Sequence, residues 1–231
     1  MILLDAGHGA MDPEMGYTTA PNKMFRHPNF NFFEGEWNRI YMKHLIGLIA
    51  YHNQVYPLKQ IQFKEIAHPI EDTPLLKRIE KVNEIVNSQT HRTIFRNKKR
   101  AVCLLISFHF NASPNQKAKG FEIFTSPDQT YSDMVATQYY NEFMKSEYLK
   151  EYGMNWRGDW ADLDADKEAN FRMLTHTNCP AVLVEHGFFD HPEEYKFLIK
   201  DKTVIEFAHM HLAVIKWHYE TNKLWEHDEG R

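Results

Sequence analysis

Four residues near the ends of apolar runs carry side chains suited to binding a metal ion or moving a proton. His8 lies between Gly7 and Gly9 after "ILLDAG", His109 follows "AVCLLISF", Glu185 closes "AVLVE", and Glu34 opens "EGEWNR". A histidine flanked by glycines at a strand end can approach a ligand closely. A lone histidine there is more often a hydrogen-bonded structural residue. A carboxylate ending a fully apolar strand is costly to bury unpaired, so Glu185 requires a partner charge, a metal or water. For Glu34, helical periodicity chooses a direction. At about 100° per residue it falls on the face of Trp37, Tyr41, Leu45 and Leu48, whereas Glu36 falls with Arg39 and Lys43 toward solvent. Asn38, one turn on, is placed to orient the Glu34 carboxylate. Two neutral imidazoles and one carboxylate suit a catalytic zinc with its fourth position open to water. A buried Arg or Lys would answer the inward Glu34 equally well.

These residues need elements to bring them together. "MILLD" predicts a buried first strand, and residues 10–33 a long loop of Pro, Asn and aromatics. A helix is predicted over 34–52, and "QIQFKEI" alternates as a strand. "EDTPLLKRIEKVNEIV" offers Asp72 or Thr73 as N-cap and Pro74 at the first helical position, with Leu75, Ile79, Val82 and Val86 on one face. The runs 101–107 and 181–185 are apolar throughout, as strands covered on both faces are, and "GFEIFTS" from Gly120 is a third strand. Helices are expected over 133–149, 167–176 and 203–220. Alternating strands and helices predict a three-layer α/β fold, with ligands at the carboxyl ends of the strands. No linker or repeat divides the chain, so residues 1–231 read as a single domain.

Composition narrows the function classes. With 231 residues, 43% hydrophobic and 14% aromatic, the chain can bury a sizeable core. A net charge of -4 and a pI near 6.4 lack the basic footprint of a nucleic-acid binder, and "RNKKR" at 96–100 reads as a solvated loop. The two cysteines, Cys103 and Cys179, make neither a disulfide framework nor a thiolate metal site. No stretch reaches the length of a membrane span, and the N-terminus lacks the pattern of a secretory signal, so synthesis and first retention in the cytoplasm are expected. Of the 14 histidines, His27, His176, His186 and His191 either line the cleft or serve as structural and solvent-facing groups. Asp5 either orients the His8 turn or caps a loop. Asn111 either holds substrate or serves its turn, and Trp156, Trp160 and Arg157 either contact sugar and peptide or anchor their loop.

Six motifs, in order along nearly the whole chain, resemble the zinc-dependent N-acetylmuramoyl-L-alanine amidases. They are "LLDAGHGAMD", "EGEWNR", "RIEKVN", "SFHFNAS", "GFEIF" and "CPAVLVEHGFFDHPEE". The resemblance implies one zinc ion held by His8, Glu34 and His109, with Glu185 as catalytic acid/base. It implies a mixed, mostly parallel sheet flanked by helices. The implied activity is peptidoglycan hydrolysis at the amide joining the lactyl group of N-acetylmuramic acid to L-alanine; beside that, Asn111 and Arg157 stand as candidate substrate contacts from their own residue types. A zinc peptidase cutting within the stem peptide and a non-catalytic wall-binding protein are the alternatives. Ala10 stands where a second glycine is usual, His186 where an apolar residue is usual, and His191 near a usual asparagine. The chain resembles a phage-type lytic enzyme that acts on the wall after release; a bacterial remodelling enzyme is the competing role.

Overall fold

Strands that are apolar throughout occupy the middle of a sheet because helices cover both of their faces. In the computed structural model, which describes residues 1–19, 21–94, 103–160 and 164–227, β1 (Ile2–Ala6) is buried along its whole length. The basic run 96–100 and the first two residues of "AVCLLIS" lie outside the described residues.

The segment 10–33 departs from the expected loop and forms two hairpins. β2 (Met11–Asp12) pairs with β3 (Gly16–Tyr17), and β4 (Met24–His27) with β5 (Phe30–Phe33) after a 3-10 turn at Pro21–Lys23. Its aromatic residues are the reason: Phe32 is fully buried and packs on Trp37, Phe110 and Phe189. Next come α1 (Glu34–Val55) and β6 (Phe63–Glu65), which uses only the centre of "QIQFKEI". α2 (Leu75–Ile94) begins at Leu75, and the expected caps are engaged elsewhere. Asp72 accepts from the Thr19 hydroxyl and Thr73 from the His68 N–H.

β7 (Leu104–Asn111) runs beyond its expected end, so His109 lies within the strand, and β8 (Glu122–Thr125) follows. The helix expected over 133–149 is two, α3 (Tyr131–Lys145) and α4 (Glu147–Tyr152), because Ser146 ends the first and its hydroxyl caps the second at Leu149 N–H. The helix expected over 167–176 is replaced by β9 (Lys167–Glu168) and a single turn, α5 (Arg172–Thr175). Pairing of β9 with β8 overrides the local helical pattern there. β10 (Ala181–Phe188), α6 (Glu194–Leu198) and α7 (Asp201–Thr221) complete the described elements.

The six-stranded sheet has the order β6-β1-β7-β10-β8-β9. Only the β10–β8 pair is antiparallel, so the sheet is mixed and mostly parallel, as expected. Period-two alternation sends Ile2, Leu4, Ile106, Phe108, Val182 and Val184 to the face packed by α1, α3 and α7. It sends Leu3, Leu105, Ala181 and Leu183 to the face packed by α2 and α5. Continuing along that second face toward the carboxyl ends, the alternation reaches Asp5, Ser107, His109 and Glu185. The apolar layer gives way to polar side chains there. No helix among the described residues is long and apolar enough to cross a membrane.

Candidate metal centre

The turn after β1 is taken by His8 itself, whose φ is +60°. The flanking glycines serve a purpose other than turning. A Cβ on Gly7 would lie 2.1 to 2.6 Å from three atoms of the His109 ring, and one on Gly9 would lie 2.0 Å from Thr18 Oγ1. Glycine is needed for close approach, while the histidine takes the left-handed conformation.

α1 holds that conformation from the other side. Asn38 Nδ2 donates to the Gly7 carbonyl at 3.0 Å. Arg39 Nη1 donates to the carbonyls of His8 (2.7 Å) and Gly35 (2.8 Å), and its Nη2 to that of His68 (2.6 Å). This corrects two expectations. Asn38 grips the turn rather than the Glu34 carboxylate, and Arg39, expected in solvent, is 2% exposed. A single helix face was expected to be buried, whereas the first turns of α1 are packed on two sides.

Glu34, 1% exposed, points inward as its periodicity predicts. Its Oε1 lies 3.0 Å from His109 Nδ1 and 3.3 Å from His8 Nε2, and the two imidazoles meet edge to face at 5.0 Å. Lys23 Nζ stands 3.6 Å from Glu34 Oε2, so a basic partner and the imidazoles share the carboxylate. Burial pushes the Glu34 carboxyl up, but the hydrogen bond with His109 and the His8 imidazole close by hold it well below the usual carboxylate range. Burial lowers His109 against the pull of Glu34, which favours the neutral imidazole a metal ligand needs. The ligand atoms of His8, Glu34 and His109 lie within 4.8 Å of one another. His8 Nε2 and Glu34 Oε2 are buried without a hydrogen-bond partner. The group can hold a metal ion, and its donor set fits one.

Glu185 pairs in register with His109 on one side and with Glu122 on the other, so the three share one face in a row across β7, β10 and β8. Glu185 Oε2 is buried and lacks a hydrogen-bond partner. Burial, then the charge of Glu34, raises this carboxyl well above its ordinary value, and Lys23 opposes the rise. Glu122, which sequence reasoning missed, is 3% exposed and takes Arg157 Nε at 2.6 Å, Lys167 Nζ at 2.7 Å and Asn111 Nδ2 at 2.6 Å. The signal that marks Glu185, a lone carboxylate in an apolar strand, was present in "GFEIF" too. Asn111 and Arg157 are thus brought beside the site, each held by Glu122.

The remaining candidates are placed elsewhere. Asp5, fully buried, accepts from Arg78 Nη1 at 3.0 Å and Ser107 Oγ at 2.8 Å, anchoring α2 to the sheet. Trp156 anchors its loop, with Nε1 donating to Ala165 and its ring on Phe121 and Phe143; Trp160 is half exposed against Tyr140. His27 bonds the Phe189 carbonyl and stacks on Tyr195, His176 is exposed, and His191 caps Glu193 and Glu194. His186 turns to the opposite face and is fully buried.

A family model described as N-acetylmuramoyl-L-alanine amidase (Amidase_3) matches residues 2–216. The chain belongs to that family. It is 32% identical over 111 residues to an endolysin of Bacillus phage SPP1, a match covering 47% of this chain and 37% of the relative's length. Among solved structures, an N-acetylmuramoyl-L-alanine amidase from Clostridium difficile 630 shares the fold with a TM-score of 0.68 and 23% identity, over 96% of this chain and 97% of that one. The catalytic domain of CwlV, an amidase from Bacillus (Paenibacillus) polymyxa var. colistinus, gives 0.66 at 19% identity, over 96% and 98%. The three-layer mixed sheet is therefore the amidase fold.

Proposed function

We propose that this chain, as one catalytic domain, hydrolyses the amide between the lactyl group of N-acetylmuramic acid and L-alanine in peptidoglycan, with zinc held by His8, Glu34 and His109. The observation that carries this reading is the convergence of those three ligand atoms within 4.8 Å, with the unpartnered Glu185 carboxyl in register beside His109. When bound, zinc supplies activation of water and polarisation of the scissile carbonyl. Glu185 takes the proton from the attacking water and delivers it to the amide nitrogen, general acid/base work of about 10²–10⁴-fold. Glu34 and the two neutral imidazoles keep the ligand set at a single negative charge. Asn111 and Arg157, steadied by Glu122, contact the muramoyl-peptide beside the scissile bond. The phage endolysin relative supports a lytic role at the cell wall.

Purified peptidoglycan treated with the zinc-loaded protein is expected to release stem peptides that begin with L-alanine, read by mass analysis. Fragments cut within the peptide would establish the peptidase alternative, and binding without products the non-catalytic one. Glu185→Gln is expected to retain zinc and lose hydrolysis by at least about 100-fold, since it removes the acid/base group; full activity in that variant would overturn the mechanism.

A further inference from the structure

Directly after Glu185, alternation turns His186 to the opposite face, into the layer packed by α1, α3 and α7. His186 Nδ1 lies 2.9 Å from the His109 carbonyl, and His186 Nε2 lies 2.8 Å from His211 Nε2. His211 Nδ1 in turn lies 2.7 Å from the Tyr139 hydroxyl. All three side chains are buried: His186 and Tyr139 fully, His211 to 1% exposure. Both rings lie buried among aromatic side chains, His186 among Tyr41, Phe108, Phe110 and Phe207 and His211 against Phe108 and Tyr139, surroundings that disfavour a charged imidazole, so each ring has one donor and one acceptor nitrogen. The direction of the chain then follows from its end. A carbonyl oxygen only accepts, so His186 donates through Nδ1 and accepts at Nε2. His211 must donate through Nε2 and accept at Nδ1, from the Tyr139 O–H. Every polar atom of both rings is engaged, and each tautomer is single-valued.

The chain ends where β10 leaves register with β7. Glu185 pairs with His109 and Phe188 with Asn111, so three steps on β10 answer two on β7. Such a bulge re-aims side chains and weakens the local ladder. His186 bridges that point from behind, joining the backbone beside Glu185 to the carbonyl of His109. We propose that the Tyr139–His211–His186 chain is a positioning device, built from α3, α7 and β10, that fixes His109 relative to Glu185 across the bulge. The proposal rests on the reading of His109 as a metal ligand and Glu185 as the acid/base. It accounts for a histidine at 186, where an apolar residue would fill the space without holding the carbonyl.

Two measurements on the full chain test it. Long-range ¹⁵N NMR of the metal-free protein is expected to show His186 protonated at Nδ1 and His211 at Nε2; the reverse tautomer at either ring overturns the chain. The triple variant His186→Leu, His211→Leu, Tyr139→Phe removes every polar member together, so no donor is left orphaned, yet the His109 carbonyl loses its clamp. Zinc affinity by chelator competition should fall about tenfold or more, as it does when groups behind a ligand are removed. The kcat should fall with KM unchanged. A folded triple variant with wild-type zinc affinity and kcat would show the chain to be packing alone. Should that variant not fold, Tyr139→Phe serves: it strips the donor from His211 Nδ1 while the carbonyl end still fixes both tautomers, so zinc binding is expected to weaken with the tautomers unchanged, and wild-type zinc affinity overturns the proposal. A wild type that binds no zinc would refute the underlying reading instead.

Discussion

Gly7 leaves no room for a side chain beside the candidate ligand His109. The His109 ring lies over it so closely that any Cβ must displace the imidazole or the turn. Gly7→Ala is expected to cost about 1–3 kcal/mol, the usual range for overpacking a filled site. It should also weaken metal binding, because the displaced group is a ligand candidate; equilibrium denaturation and chelator competition read the two effects separately. Wild-type metal affinity in Gly7→Ala would mean that His109 does not need this position. The left-handed His8 beside it shows why a "GHG" string misleads when read locally. Its glycines suggest the turn, yet the strained φ belongs to the histidine and is held by Asn38 and Arg39 from another element.

At the scale of elements, the site depends on how α1 and α2 are tied to the ends of β1 and β7. α1 brings Glu34 inward and clamps the His8 turn with its next helical turn. α2 is tied by the Arg78–Asp5 pair, both partners buried, with Ser107 as a third member. Removing one partner leaves an uncompensated buried charge, so Arg78→Met is expected to destabilise the fold by about 3–5 kcal/mol. The double variant Arg78→Met, Asp5→Asn should recover much of that loss. Urea denaturation of the single and double variants forms the cycle that measures the coupling; additive losses would show the pair to be uncoupled. This arrangement also explains the outcome for Asp5, which the sequence left between the His8 turn and a loop cap and tertiary pairing gave to α2.

For the whole molecule, stability carries a pH signature from Asp166, a buried carboxyl behind β8 that accepts from the Thr125 hydroxyl. Burial, with further repulsion from Asp164 and Asp133, pushes its pKa up from 3.8 to about 7. Between those two values the folded chain holds a proton that the unfolded chain has released. This contribution to stability is therefore complete below pH 3.8 and is lost as pH rises through about 7. The slope is at most about 1.4 kcal/mol per pH unit for one proton. Asp166→Asn keeps an acceptor for Thr125 and should flatten the stability profile over that window, measured by denaturation at a series of pH values. An unchanged slope would assign the dependence to other groups.

Much of this protein was legible from its sequence because the signals were local. Strands covered on both faces must be apolar throughout, which located β1, β7 and β10; one face of α1 had to be buried, which aimed Glu34. A charged or titratable group at the end of such a run has few ways of being satisfied, which marked His8, His109 and Glu185. What remained hidden was set by pairing across long distances. The register that places Glu122 opposite Glu185, the two hairpins of 10–33, the edge strand β9 and the burial of Arg39 all depend on neighbours far along the chain. Hydrophobic periodicity reports whether a position is covered. Only the tertiary structure decides which group covers it, because the hydrogen bonds and ion pairs that satisfy a buried polar atom are made between elements.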